Sequence, residues 1–155
     1  MELLILKARK PRQLRKSAEL TEGKKVKGRK RHIVTDVMGN LLAVVVHAAN
    51  IHDTKSGINP ARQAFRRYPT IKKFCADEGY RKTFEAEVST ELGLGVDISK
   101  KIKPEWEILP KRWVVERTFS WLNGFRRLSK DYEITTSSEE ANVVISHLAV
   151  LLRRL

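Results

Sequence analysis

The sequence predicts a mixed α/β domain, and three observations carry that prediction. Strand-like runs come first, helical and strand-like segments then alternate, and the last third is helical. One run, residues 41–46, is apolar at every position, as in a mid-sheet strand covered by helices on both faces. A long amphipathic segment at 113–130 and an apolar one at 139–155 supply helices for the covering.

The elements follow in order. Residues 8–31 are dominated by Lys and Arg and read as a poorly packed basic arm that gains contacts when phosphates arrive. Residues 31–37 read as a strand, 36–40 as a turn around Gly39 and Asn40, and 41–48 as the hairpin partner. Asp53 can cap a helix reaching residue 67, with Ile58, Ala61, Ala64 and Phe65 on one side; Pro60 fits its first turn or a local break. Residues 71–76 form a short strand that leaves through Asp77-Glu78-Gly79-Tyr80. A helix over 81–92, a strand over 95–98 and a basic loop over 100–111 come next. After the helix at 113–130, a polar break at 135–138 offers Ser137 or Ser138 as the cap of the last helix.

A chain of 155 residues, 41% apolar, has room for one real core. Its charge is unusual: 31 Lys and Arg against 18 Asp and Glu leave a net +13. So large an excess repels itself, and a polyanion offsets it, with nucleic acid ahead of an anionic membrane surface. The aromatic content of 7%, without a stacking motif, counts against an RNA-binding platform. A single cysteine, Cys75, inside an apolar run, reads as a small core residue, and a reducing cytoplasm fits. No run approaches 18 apolar residues, so no membrane span is expected.

Two carboxylates stand out. Asp77 closes an apolar strand, at the sheet edge where ligands collect in α/β folds; capping the Gly79 bend explains it equally well. Glu116 lies with Arg112, Ser120, Asn123 and Arg127 on one polar helical stripe, opposite Val114, Trp121, Phe125 and Leu128. It fits a surface ion pair or a surface that meets phosphates. Together the two acids could hold a divalent metal, because phosphoryl transfer needs hard oxygen ligands. The histidines His32, His47, His52 and His147 show no zinc-like spacing.

At these residues the chain resembles a known family. Residues 24–32 (KKVKGRKRH), Asp36, the run 42–46, Ala49-Asn50-Ile51-His52-Asp53, Ala76-Asp77-Glu78-Gly79-Tyr80 and the segment 112–122 (RWVVERTFSWL) are similar to transposases of the insertion-sequence-five family. So are residues 125–128, 131–133 and the final helix. The resemblance implies an RNase H-like fold, N-terminally truncated here: residues 1–21 as an arm outside the family pattern, residues 22–155 as the catalytic domain. It implies three acids that bind two Mg²⁺ (or Mn²⁺) ions, with Asp77 matching the second and Glu116 the third. Arg112 matches an arginine of the signature around the third acid, whereas Leu109 and Asn123 depart from it. The implied partners are double-stranded DNA, both transposon ends and target, and further copies of the chain. Candidate DNA contacts are Lys24, Lys25, Lys27, Arg29, Lys30, Arg31, Arg112, Asn123 and Arg127. The first acid is missing: the family carries an aspartate on a strand before residue 24, and residues 1–21 contain none. Asp36 is the fallback, and Leu3, Leu4, Ile5 and Leu6 are apolar enough to fill the vacated strand. The implied activity is DNA cleavage and strand transfer, little of it retained by this chain alone; the alternative is a non-catalytic DNA-binding remnant that modulates full-length transposase.

Overall fold

A computed structural model describes residues 4–9, 29–49, 51, 53–99 and 112–155, with residues 4–9, 53, 54 and 112 described through their backbone. Its centre is a five-stranded mixed sheet of β1 (Leu4–Arg9), β2 (Arg29–Thr35), β3 (Leu41–Ala48), β4 (Lys73–Asp77) and β5 (Gly95–Ser99), ordered β3-β2-β1-β4-β5. The first three strands are antiparallel, whereas β4 runs parallel to both β1 and β5. Parallel neighbours need crossovers, and the helices supply them.

The middle of the sheet is β1, the segment expected to be part of a loose arm. Its apolar stretch Leu4-Ile5-Leu6 suits a strand flanked on both sides, and pairing with β2 and β4 satisfies both backbone edges. Leu4, Ile5 and Leu6 therefore do form a strand, as their apolar character allowed. Arg29 to Arg31 likewise belong to β2 and not to an arm. Residues 10–28, including Lys24, Lys25 and Lys27, lie outside the described residues.

The apolar β3 is an edge strand, not the mid-sheet strand its composition suggests. Helix α6 (Thr136–Leu152) resolves the mismatch by lying against β3. There Glu140 Oε1 accepts from Val46 N at 2.8 Å, and His147 Nε2 accepts from Leu41 N at 3.0 Å. Two outward-facing N–H groups are thus satisfied on a strand otherwise open to edge pairing.

Helices cover both faces. On one, α1 (Asp53–Ser56), α2 (Ile58–Arg67) and α3 (Thr83–Leu92) flank a core of Val34, Ile58, Ala61, Ala64, Phe74 and Phe84. The single helix expected over 53–67 breaks at Gly57, and buried Pro60 sits in the first turn of α2, where its missing N–H costs nothing. On the other face, α4 (Arg112–Asn123) and α6 enclose Ile33, Val44, Val46, Cys75, Val115, Phe119 and Val143. The helix expected over 113–130 also breaks: Gly124 and Phe125 turn the chain into the short α5 (Arg126–Ser129). Thr135, two residues before the nearer of the expected serines, caps α6 by accepting from Ser138 N at 3.1 Å.

Candidate active site and basic surface

Asp77 ends β4 on the face covered by α4, because Cys75, two residues earlier, packs among Val114, Val115 and Phe119. Its Oδ1 accepts from Gly79 N at 3.1 Å and starts a 3₁₀ turn over Glu78–Tyr80. Tyr80 closes that turn by burying its ring and pairing its hydroxyl with His32 Nδ1 at 2.8 Å. The carboxylate is thus held half-buried at the end of its strand while one oxygen caps the bend. Strand register adds a neighbour: Leu6 pairs with Ala76, which sets Lys7 level with Asp77.

Glu116 lies exposed in the first half of α4, which packs on β1 and β2. The rotation of α4 is set by the β2–β3 turn, since Arg117 Nη2 donates to Met38 O at 2.8 Å and Thr118 Oγ1 donates to Gly39 O at 3.2 Å. At roughly 100° per residue, Glu116 falls nearly opposite Thr118 and so on the flank turned away from that hairpin. Asp77 and α4 therefore share one face of the sheet. Among the described residues no three acids, histidines or cysteines gather into a metal-binding group. Asp36 is removed as a fallback acid: its Oδ1 accepts from Met38 N and Asn40 N, and its Oδ2 from the Asn40 side chain. It shapes the turn.

The expected DNA-contacting residues divide sharply. Arg31 is 5% exposed, its Nε pairs with Glu139 Oε1, and its Nη1 donates to Leu128 O at 2.6 Å. Arg29 reaches Glu139 Oε2 at 3.2 Å and donates to Ile134 O at 2.6 Å. A buried carboxylate needs both cations, and the sheet pins the start of α6 through them. Neither arginine is a phosphate contact, contrary to expectation. The sequence signal missed was Glu139, an acid in the first turn of the last helix.

Lys30 Nζ donates to Ile51 O at 2.9 Å. Arg127 stays 70% exposed and pairs with Glu133 at 2.7 Å, but it sits on α5 and not on the stripe of α4. Asn123 is half-buried at the end of α4, and the side chain of Arg112 lies outside the described residues. A further cationic feature went unread in the sequence. Arg117 lies between Trp113 and Trp121, 4.3 and 4.7 Å from their centroids, and Arg154 lies 5.1 Å from Trp121 on that ring's other contact. Spacing of four residues along α4 could have shown the first three.

Two histidines also meet. His32 Nε2 lies 2.5 Å from His47 Nε2 and 3.2 Å from Ser56 Oγ. Because His47 Nδ1 faces Ala48 O at 2.8 Å, its Nε2 is left to accept, and a proton from His32 Nε2 satisfies the pair. Tyr80 Oη, 2.8 Å from His32 Nδ1, completes the chain of hydrogen bonds.

Comparison with known proteins agrees with this architecture. The bovine immunodeficiency virus integrase catalytic core superposes with a TM-score of 0.56 at 13% identity, over 95% of this chain and 81% of that one. The integrase assembly of simian T-cell lymphotropic virus, bound to a regulatory subunit of phosphatase 2A, gives 0.59 at 11% identity, over 94% and 46%. The HTLV-2 integrase core, solved with magnesium as a dimer, gives 0.50 at 13%, over 79% and 68%. These likenesses establish the RNase H-like fold expected from the sequence. A putative transposase for insertion sequence element IS402 from Burkholderia cepacia is 36% identical over 115 residues, 68% of this chain. The chain spans 54% of that relative's length. A family model described as a transposase DDE domain matches residues 6–152, starting well before residue 22, where the resemblance was expected to begin. The chain belongs to the DDE-domain transposases.

Proposed function

We propose that this chain is a transposase of the insertion-sequence-five kind that binds DNA but has lost the acid set for cleaving it. One observation carries the reading: the β1 position level with Asp77 is Lys7. Family membership supports the reaction class, hydrolysis and transfer of DNA phosphodiesters. Asp77 and Glu116 are the acids that would take part, and their shared face supports that pairing.

A pair of Mg²⁺ or Mn²⁺ ions, when bound, supplies a polarised nucleophile and a stabilised leaving oxygen. The residues present do not fit such a pair. Two cations about 3.5–4 Å apart repel strongly, and anionic ligands must offset that repulsion. A lysine at the position proposed for the first acid adds charge of the wrong sign.

DNA binding rests on the net charge of +13, on Arg127 and on Arg117 and Arg154 among the tryptophans, with Lys24, Lys25, Lys27 and Arg112 as further candidates. Transposon ends and target DNA are the proposed partners, several copies assemble on them, and the cytoplasm is the proposed location. No helix among the described residues is long and apolar enough to cross a membrane. Lys7 equally favours a second reading, in which the chain joins full-length transposase and lowers its activity.

The test uses purified chain and a transposon-end duplex in Mg²⁺ or Mn²⁺. The expected result is salt-sensitive binding without cleavage, and tighter Mn²⁺ binding by calorimetry after Lys7→Asp. Cleavage by the unaltered chain, abolished by Asp77→Ala, overturns the proposal, and so does a Lys7→Asp variant that binds Mn²⁺ no better.

A further inference from the structure

Trp113, Arg117 and Trp121 stand one turn apart on α4, and Phe125 follows at the same interval just past its end. Arg117 lies about 100° around the helix from Glu116, so this flank is separate from the acids. Between the ends of α4 and α6 it meets a cavity of about 380 Å³, lined by Trp121, Gly124, Phe125, Val150, Arg153 and Arg154. Small-ligand pockets begin near about 300 Å³, so the space suits one compact group.

The lining combines two kinds of chemistry. Trp121 and Phe125 are only half-buried, and each carries a guanidinium against its ring: Arg154 at 5.1 Å from Trp121, Arg153 at 5.8 Å from Phe125. Both arginines are exposed, no acid lines the cavity, and among the described residues neither arginine is held in an ion pair. An acyl chain or apolar peptide would cover two cations without offsetting their charge. A bare phosphate would leave both rings unused. A nucleotide satisfies both requirements, with its base stacked on an aromatic ring and its phosphate against an arginine. A paired base does not fit, because its faces are covered by its neighbours until it leaves the stack.

We infer that this cavity holds one unpaired nucleotide of a DNA strand, so that the chain distinguishes frayed or tailed DNA from continuous duplex. The inference rests on the DNA-binding reading above and adds a preference for the state of the strand.

Fluorescence anisotropy of the full chain at fixed salt compares a labelled blunt duplex with the same duplex carrying a short unpaired tail. The tailed form should bind about tenfold tighter, as stacking of a base on an aromatic ring supplies, and should quench tryptophan emission. Trp121→Ala should abolish the preference, whereas Trp121→Phe, which keeps a ring, should retain most of it and lose most of the quenching. Arg154→Gln, on an exposed side chain that leaves the core untouched, should reduce the preference and lower the log–log salt slope of tailed binding by about one. Equal affinity for the two duplexes overturns the inference and leaves DNA binding standing, as does a preference that survives both Trp121→Ala and Arg154→Gln. Binding to neither duplex overturns this inference and the DNA-binding reading together. Deoxyadenosine monophosphate that quenches at the same concentration as the tail makes a free nucleotide the occupant and overturns the proposal. Quenching by a phosphotyrosine peptide but not by the tail makes the occupant a protein and overturns it too.

Discussion

Arg31, in the interior of the sheet, pairs through its Nε with Glu139, and both side chains are almost wholly buried. Arg29 takes the second carboxylate oxygen at 3.2 Å, and backbone carbonyls of residues 128 and 134 accept the remaining guanidinium hydrogens. This cluster joins β2 to the start of α6, more than a hundred residues later in the chain. It has a direct consequence for stability.

Removing Glu139 strips the buried Arg31 guanidinium of its carboxylate, whereas Arg29 keeps Asp131 at 3.3 Å. We expect Glu139→Ala to destabilise the fold by about 3–5 kcal/mol, the usual penalty for stripping one partner from a buried charge pair. Urea unfolding followed by circular dichroism measures it. Arg127→Ala, on an exposed pair, should change stability by under about 1 kcal/mol. Equal losses for the two variants would contradict the structural assignment of Arg31.

Gly39 adopts φ +85° in the β2–β3 turn, and a Cβ there would lie 2.9 Å from Thr118 Oγ1. Gly39→Ala therefore meets both backbone strain and a steric contact with α4, at a cost of about 1–3 kcal/mol. The two components separate in a double-mutant cycle. In a Thr118→Ala background the closest contact is relieved, while the backbone strain and the looser approach to Arg117 at 3.3 Å remain, so the same substitution should cost measurably less. Additive losses would show that Thr118 does not press on the turn.

His147 Nε2 accepts from Leu41 N, so the ring is held neutral. Burial drives its pKa below the usual 6.5; Arg154 pushes the same way, and Asp36 opposes them. A lowered folded pKa means that the unfolded chain takes up the proton first. The stabilising contribution is complete above about pH 6.5 and is lost as pH falls through the folded value. Between pH 7.5 and 5, the native chain should lose more stability than His147→Gln, which can accept the same hydrogen bond without titrating. A difference of about 0.5–1.5 kcal/mol is expected from urea unfolding at the two pH values. Parallel pH profiles would remove His147 from this role.

Local chemistry made much of this protein legible in its residues alone. The β2–β3 hairpin, the strand closing on Asp77, the core position of Cys75 and the helical last third all follow from apolar periodicity and turn residues, which act over a few positions. The motifs around Asp77 and Glu116 identified the family for the same reason, since each is a contiguous stretch of sequence.

What tertiary structure decided involves residues distant in the chain. A row of basic residues looks alike whether phosphates or a buried glutamate await it, and only the fold brings Glu139 to Arg29 and Arg31. An apolar strand looks alike at a sheet's centre or edge, and only α6, through Glu140 and His147, makes the edge tenable for β3. The place of Lys7 beside Asp77 is likewise a matter of strand register. Register is set by pairing between segments some seventy residues apart, because backbone hydrogen bonds and covering helices, not neighbouring residues, choose which positions meet.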